Sequence, residues 1–228
     1  MKWIRGKKSM RVMEGNTLLS VLPDRPGPTQ SVWDVMAACA KLAPGTRVAL
    51  LGFAGGGIIA PLRAMGLNSS IEAVDLSRLG ESAFRKVTAG WPGTVRLTRT
   101  DAARWLRGRK SRFDLIIEDL SITMPSGVTK PSMSADTLPQ LMKRRLTPGG
   151  VAVVNLLPVP GVPWRRLLER ISSPYREVRW VGFDEYENRL MIGGRSLPPA
   201  RQVSLLIRSV LRSIGSRLST RISVSRKP

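Results

Sequence analysis

The sequence predicts an α/β protein built on a doubly wound, mostly parallel sheet of seven strands. Short apolar runs of strand length alternate with helix-period segments through the middle of the chain, and this alternation is typical of a parallel sheet covered on both faces by helices. A glycine-rich turn at 52–57 directly follows the first of these runs, as in nucleotide-binding α/β folds. The last two runs, 178–183 and 189–192, have no helix between them, so we expect an antiparallel hairpin at one edge of the sheet.

The chain begins with a small predicted β-hairpin. Residues 10–13 and 17–21 flank Glu14-Gly15-Asn16, which is a turn-forming set. Residues 23–28 are rich in proline and have the composition of a linker. We therefore assign residues 1–28 to an N-terminal hairpin followed by a Pro-rich linker.

The predicted sheet domain extends over residues 29–196. Ser31 can cap a first helix that runs to about Leu42, where Pro44-Gly45 ends it. The predicted strands are 48–51, 71–74, 95–99, 114–118, 151–155, 178–183 and 189–192, and the later helices are 57–66, 77–89, 102–109, 137–146 and 163–171.

Residues 197–228 form a basic amphipathic C-terminal extension. Its apolar residues recur at helical spacing with arginines interspersed. Such a helix can lie on a membrane or dock on a partner, but packing against its own domain is the interpretation that we favour. The apolar positions are Val203, Leu206, Ile207, Val210, Leu211, Ile214 and Leu218, and the arginines are Arg208, Arg212, Arg217 and Arg221.

Composition excludes several functional classes. The chain has 228 residues, one cysteine and no histidine, so it forms no internal disulfide and lacks the commonest general base and metal ligand. We expect no metal, and we interpret Cys39 as a core residue. No apolar run approaches the ~18 residues of a membrane span, and the first residues do not resemble a secretory signal. A cytoplasmic location is therefore expected.

The formal net charge is +21, and part of it lies at the two ends. The first eleven residues contain no acid, and no acid follows Glu187. Basic ends of this kind attract nucleic acid or an anionic membrane surface. The alternative is an arginine-rich composition that only keeps the protein in solution, since no basic cluster is interleaved with stacking aromatic residues.

Four candidate site features follow four consecutive predicted strands. They are the glycine turn, Asp75, Asp101 and Asp119. Ligands of open parallel sheets bind at the carboxyl ends of the strands, where backbone N–H groups and an acid can hold a nucleoside. Singly, Asp75 and Asp101 are also typical helix caps, and Asp119 is also typical of a solvated loop. Together the four features predict a nucleoside-cofactor pocket.

A dinucleotide fold is a competing interpretation. Residues 52–57 nearly match G-x-G-x-x-G, with Ala54 in place of the second glycine. A nicotinamide enzyme would usually need a further substrate domain and often a histidine or a tyrosine–lysine pair. The two tyrosines, Tyr175 and Tyr186, both lie late in the chain, so this interpretation ranks third.

Six segments carry a resemblance to a known family. They are residues 48–57, 71–77, 100–106, 113–120, 146–155 and 188–192. Over roughly residues 10–194 the chain resembles the spermidine-synthase-like branch of the class I S-adenosylmethionine-dependent methyltransferase superfamily, which implies a Rossmann-like methyltransferase fold. By that resemblance the cofactor-binding residues are Gly52, Gly55, Gly56 and Gly57 under the methionine part and ribose, Asp75 with Leu76 at the ribose, and Asp101 with Ala102 at the adenine.

The resemblance also ranks the possible reactions. Asp119 would face the reacting centre, whereas Gly55 and Ile122 stand where spermidine synthases carry two further aspartates. Methyl transfer from S-adenosylmethionine to an unknown small-molecule acceptor is therefore the first hypothesis. Aminopropyl transfer from decarboxylated S-adenosylmethionine is the second, and a non-catalytic protein that binds nucleic acid or membrane is the third.

The resemblance and the loop lengths suggest which residues surround the acceptor. We interpret the long segment 121–135, which starts at Ser121 and Ile122, as a lid over the predicted pocket. Gln30 and Ser31 are candidates for the opposite wall, while for Trp33 we favour core packing. Relatives often use the N-terminal hairpin for assembly, so a homodimer is a candidate assembly.

Overall fold

An eight-stranded mixed sheet forms the centre of the computed structural model, which describes residues 2–78, 80–124, 127–159 and 161–227. The strands are β1 (Lys2–Arg5), β2 (Ser9–Glu14), β3 (Thr17–Pro23), β4 (Val48–Leu51), β5 (Ile71–Asp75), β6 (Val95–Arg99), β7 (Phe113–Glu118), β8 (Ile122–Met124), β9 (Gly127–Thr129), β10 (Leu146–Leu156), β11 (Glu177–Phe183), β12 (Arg189–Gly194) and β13 (Ile222–Ser225). The helices are α1 (Val32–Ala38), α2 (Ile59–Ala64), α3 (Glu81–Val87), α4 (Ala102–Gly108), α5 (Met133–Asp136), α6 (Leu138–Arg145), α7 (Trp164–Ser172) and α8 (Ala200–Ser213), with 3₁₀ turns at Cys39–Leu42 and Arg217–Thr220.

The strand order in this sheet is β13-β11-β12-β10-β7-β4-β5-β6. The strands from β10 to β6 are parallel, and β12 is antiparallel to both of its neighbours. Every residue of β4 and β7 is buried, which explains why β4 appears in the sequence as a continuous apolar run and why β7 has three consecutive apolar residues at its centre. The predicted α/β class with a mostly parallel sheet is confirmed.

The sheet has eight strands, one more than the sequence predicted. The additional strand is β13, which pairs antiparallel with β11. The predicted hairpin of β11 and β12 forms, but β13 covers its outer strand, so the hairpin does not form the edge. β13 was not predicted because its alternation of apolar and polar residues rests on Ile222 and Val224 alone. Two apolar positions are too few to indicate a strand.

The remaining part of the C-terminal extension packs on the same domain. Val203, Ile207 and Leu211 of α8 are buried in the core on one face of the sheet. The hydroxyl of Ser216 donates a hydrogen bond to Asp34 Oδ2 at 2.7 Å. The apolar face of α8 is thus used within the chain, as the favoured interpretation expected.

The N-terminal segment forms a three-stranded sheet, because β1 pairs with β2 in addition to the predicted hairpin of β2 and β3. This sheet lies against the glycine turn, where the Gly57 N–H donates to Ser20 Oγ at 2.8 Å. None of the helices in the described ranges has the length and apolar character needed to cross a bilayer.

Candidate functional site

A cavity of about 440 Å³ opens at the carboxyl ends of the parallel strands, and its volume lies within the usual range for small-molecule sites. The N-terminal sheet encloses it together with the start of α1, the turns that follow β4, β5 and β7, the pair β8–β9, the end of β10, and the loop between β11 and β12. Its lining consists of Glu14, Thr17, Leu18, Leu19, Ser31, Val32, Trp33, Gly52, Ala54, Asp75, Leu76, Ser77, Gly80, Asp119, Leu120, Ser121, Thr123, Val128, Asn155, Leu157, Tyr186 and Asn188.

The turn that follows β4 passes close to the backbone that follows β7. Gly52 has a φ of +91°, and a Cβ there would lie 2.6 Å from the Asp119 carbonyl oxygen. A side chain at this position would therefore displace the Asp119 backbone. Ala54 also has a left-handed backbone, with a φ of +46°. The sharp turn exposes Gly52 and Ala54 to the cavity.

Asp75 ends β5 and holds the turn in place. Its Oδ2 accepts hydrogen bonds from the backbone N–H groups of Phe53 at 2.8 Å and Ala54 at 2.9 Å, and its Oδ1 accepts from Ser77 N–H at 2.9 Å. An ionised carboxylate has about four acceptor positions, so one position on Oδ1 stays available to a ligand. The neighbouring Leu76 is 68% exposed and offers the cavity an apolar surface.

Asp119 is the acid at the centre of the cavity wall. Its Oδ2 accepts a hydrogen bond from Trp33 Nε1 at 2.8 Å, and its Oδ1 accepts one from Asn155 Nδ2 at 2.7 Å. Asn188 Nδ2 in turn donates to Asn155 Oδ1 at 2.9 Å. Burial raises the pKa of Asp119 above its ordinary value, although these donors and the Lys130 charge act in the opposite direction.

Sequence reasoning missed part of this network. Trp33 is buried as expected, but its indole N–H also fixes the Asp119 carboxylate. Asn155 and Asn188 were not identified at all. Their only signal was position, because an asparagine ends the apolar run of β10 and another precedes β12.

Glu118 points away from the cavity and anchors the segment that covers it. Its Oε1 accepts from Lys130 Nζ at 2.7 Å, from Ser134 Oγ at 3.1 Å and from the Leu120 N–H at 2.8 Å. Both members of the ion pair are buried, and Glu118 Oε2 has no hydrogen-bond partner among the residues that the structure describes. Burial raises the pKa of Glu118, although Lys130 lowers it.

The segment 121–135 is more ordered than a simple loop. It contains the pair β8–β9 and the short helix α5, with residues 125 and 126 outside the described ranges. Its Thr123 hydroxyl donates to a carboxylate oxygen of Glu14 in the N-terminal sheet. The segment is thus tied at one end to β2 and at the other end to β7.

Six of the site residues named from sequence line the cavity: Ser31, Gly52, Asp75, Leu76, Asp119 and Ser121. Gly55, Gly56 and Gly57 do not. A Cβ at these positions would lie 2.4 Å from Val12 Cγ2, 2.6 Å from Phe84 Cδ2 and 2.6 Å from Ser20 Oγ respectively. In this structure these glycines allow close packing of the turn against β2, β3 and α3.

The other named residues also lie outside the lining. Gln30 has a φ of +61°, and its side chain bonds Gly215 O at 3.1 Å and Arg217 N at 2.9 Å. Ile122 is 43% exposed in β8. Asp101, beside Ala102, caps α4 by accepting from Arg104 N at 2.8 Å. The adenine role of Asp101 and Ala102 stays a prediction.

The site contains no evident metal centre. Across the described parts of the chain, no group of three or more histidine, cysteine, aspartate or glutamate side chains is placed to hold a metal ion.

Comparison with known proteins identifies the fold. No protein-family model matches the chain, and neither does any curated protein. A spermidine synthase solved with the transition-state analogue AdoDATO is similar at a TM-score of 0.66 and 17% identity, over 96% of this chain and 80% of that one. Spermidine synthase from Thermotoga maritima gives a TM-score of 0.63 and 16% identity, over 96% and 79%. Human methyltransferase-like protein 13, solved with SAH, gives 0.62 and 14%, over 80% and 89%. The chain therefore has the Rossmann-like fold shared by S-adenosylmethionine-dependent methyltransferases and spermidine synthases.

Proposed function

We propose that this protein transfers a methyl group from S-adenosylmethionine to a small-molecule acceptor that is not yet identified. The observation that carries the proposal is the cavity at the carboxyl ends of β4, β5 and β7, which gathers Gly52, Asp75, Leu76 and Asp119 in one wall. The fold supports it, because ligands of such sheets bind at this end.

The residues present suit the cofactor. Leu76 offers an exposed apolar contact for a ring, and the free acceptor position of Asp75 suits one ribose hydroxyl. A second hydroxyl on Asp75 would require the N–H groups of Phe53 or Ala54 to release its Oδ2. When bound, S-adenosylmethionine supplies an activated methyl group on a positively charged sulfonium.

Asp119 would orient the acceptor or take its proton. Trp33 and Asn155 fix both carboxylate oxygens, so the group is preorganised rather than free to rotate. Its raised pKa brings the carboxylate closer to the basicity that a general base needs near neutral pH. Asp119 is the residue on which we expect turnover to depend.

The ionisable lining also favours a second candidate. Among the described residues that line the cavity, the carboxylates are Glu14, Asp75 and Asp119, and there is no lysine or arginine, although the chain carries a net charge of +21. A negative cavity attracts a sulfonium and also a cationic amine. Aminopropyl transfer from decarboxylated S-adenosylmethionine therefore remains the alternative reaction.

Calorimetry with the two cofactors separates the candidates. We expect S-adenosylmethionine to bind more tightly than its decarboxylated form, and the reverse order would favour aminopropyl transfer. Measurable affinity for neither compound would contradict both and favour a non-catalytic protein. Cytoplasmic location belongs to the same proposal, and fractionation of cells that make the protein would test it.

Asp119→Asn tests the assigned role once an acceptor is found by screening with methyl-labelled cofactor. We expect turnover to fall by about 10²–10⁴-fold, the usual contribution of a general base, with cofactor affinity nearly unchanged. Asp184→Asn is the matched control, because Asp184 is an exposed acid outside the cavity lining. Equal turnover in the two variants would remove Asp119 from the mechanism.

A further inference from the structure

A second concave site lies at the opposite end of the sheet from the candidate active site. A cleft of about 660 Å³ opens between the start of β11, the end of β12 and the start of α8. Four arginines line it: Arg176, Arg179, Arg195 and Arg226. They meet because β11 is antiparallel to both of its neighbours. The pairing of Glu177 with Gly194 places Arg176 beside Arg195, and the pairing of Trp180 with Ser225 places Arg226 beside Arg179.

Most of the positive charge in this cleft is uncompensated. Buried Arg179 is committed to the fold, since it donates to Pro198 O at 2.8 Å, to Leu197 O at 3.1 Å and to Glu177 at 2.9 Å. Glu177 is the only acid of the described lining, and its pKa is lowered chiefly by the hydrogen bond from Arg179. The other three arginines, Arg176, Arg195 and Arg226, are exposed and form no ion pair with any described residue.

The positive surface continues along the same end of the sheet. Leu146 pairs with Phe113, so the last turn of α6 lies beside the start of β7. Lys143 and Arg144 lie in the last turn of α6, while Lys110 and Arg112 precede β7. All four are exposed and take part in no ion pair within the described chain. We call these four residues, with Arg176, Arg195 and Arg226, the basic edge. It crosses the strands from β13 to β7, about 19 Å at 4.8 Å per strand.

The chemistry of the basic edge fits a chain of phosphates. None of its seven residues has an ion-pair partner to displace in the described structure. Glu177, the one carboxylate of the described cleft lining, pairs with Arg179 and only adds a longer-range attraction to Arg176 and Arg226. The cleft is concave, and its described lining contains no aromatic residue on which a base could stack. We propose that the basic edge binds the phosphate backbone of a nucleic acid, with little dependence on base sequence.

A membrane surface fits less well. None of the large hydrophobic residues that are exposed in the described chain lines the cleft, and the apolar face of α8 is buried in the core. The proposal also moves the interaction away from the acidic cavity, because β7 separates the two ends by six residues, about 20 Å. The proposal therefore does not rest on the proposed methyl transfer.

The test measures fluorescence anisotropy of labelled 20-nucleotide RNA and DNA strands of mixed sequence, with 50 to 300 mM KCl. The full chain is compared with the variant Arg176→Gln/Arg195→Gln/Arg226→Gln. The matched control is Lys86→Gln/Arg96→Gln/Arg212→Gln, which removes three exposed cations from other surfaces. Both variants lower the net charge by three, and circular dichroism with thermal unfolding checks that each one folds.

We expect the cleft variant to bind at least tenfold more weakly at 100 mM KCl. We also expect its slope of log affinity against log salt to be shallower by about 2, because each lost phosphate contact on a single strand removes about 0.7. The control should change affinity less than threefold. Equal weakening by both variants would overturn the proposal, because total charge would then explain the binding.

Three further outcomes decide the remaining questions. Failure of the unmodified chain to bind either strand at 50 mM KCl would overturn the proposal. Binding to phosphatidylserine vesicles that depends on the cleft, without binding to RNA or DNA, would replace it with a membrane role. If the glutamine variant does not fold, Arg176→Lys/Arg195→Lys/Arg226→Lys should keep the salt slope, and a lost slope in that folded variant would also contradict a backbone site.

Discussion

Lys130→Met tests how the segment over the cavity is held in place. In the structure Lys130 Nζ donates to Glu118 Oε1 at 2.7 Å and to Leu120 O at 2.6 Å, and both members of the ion pair are almost inaccessible, with side-chain exposures of 2% and 1%. Methionine has a similar length but no charge. The substitution leaves a buried carboxylate that keeps only Ser134 Oγ and the Leu120 N–H as donors.

The expected loss follows from breaking one side of a buried pair. Removal of one partner from such a pair usually costs about 3–5 kcal/mol, because the other charge is left uncompensated. The cost should depend on pH. Burial already raises the pKa of Glu118 and Lys130 lowers it, so removal of Lys130 raises the pKa further. Protonation then neutralises Glu118 in the folded state as pH falls, and the deficit in unfolding free energy should shrink toward acid pH.

Urea unfolding at pH 7.5 and pH 5.5 measures both effects. Arg165→Met is the matched control, because Arg165 pairs with Glu169 on the surface of α7, with side-chain exposures of 89% and 63%. Exposed pairs within one helix contribute about 0.3–0.5 kcal/mol. A second change, Glu118→Gln in the Lys130→Met background, should recover part of the loss. The reasoning is refuted if Lys130→Met costs no more than Arg165→Met, or if its deficit grows as pH falls.

Three further predictions concern positions outside the cavity. Gly55→Ala should destabilise the fold by about 1–3 kcal/mol, because its Cβ would lie 2.4 Å from Val12 Cγ2; protease cleavage in the N-terminal sheet reports it. Gln30→Ala should cost about 1–2 kcal/mol and speed amide exchange near Gly215, since the side chain makes two hydrogen bonds there. Burial raises the pKa of Cys39 to about 12, so its thiol should react with a disulfide reagent at pH 8 only at the rate of unfolding.

The central strands could be predicted because burial on both faces gives them a pattern of their own. β4 is wholly apolar, β7 has three consecutive apolar residues at its centre, and their predicted bounds differ from the observed ones by at most one residue. β13 could not be predicted in the same way. It is a four-residue strand whose place depends on β11. Its pairing partners lie 39 to 45 residues earlier in the chain, so a short window of sequence does not show the pairing.

The acids of the site were predictable for a related reason. Asp75 and Asp119 follow parallel strands, and parallel strands end at the same side of a sheet. Their hydrogen-bond partners were not predictable from local pattern. Trp33 lies 86 positions before Asp119 in the sequence, and Asn155 reaches it from β10. Contacts of this kind depend on how the elements pack, and a short window of sequence does not contain that information.

The glycine turn adds a structural reason to the ranking of the two reactions that the resemblance suggested. Spermidine synthases carry an aspartate in this turn, and the corresponding place here is Gly55. A side chain at Gly55 would begin with a Cβ 2.4 Å from Val12 Cγ2 and 3.1 Å from Trp3 Cη2, so an aspartate does not fit beneath the N-terminal sheet as it is placed. Gly55 allows the N-terminal sheet to pack closely on the turn. This position therefore cannot supply a carboxylate for the amine of a decarboxylated cofactor. This packing, rather than the overall charge of the chain, is the structural argument that places methyl transfer before aminopropyl transfer.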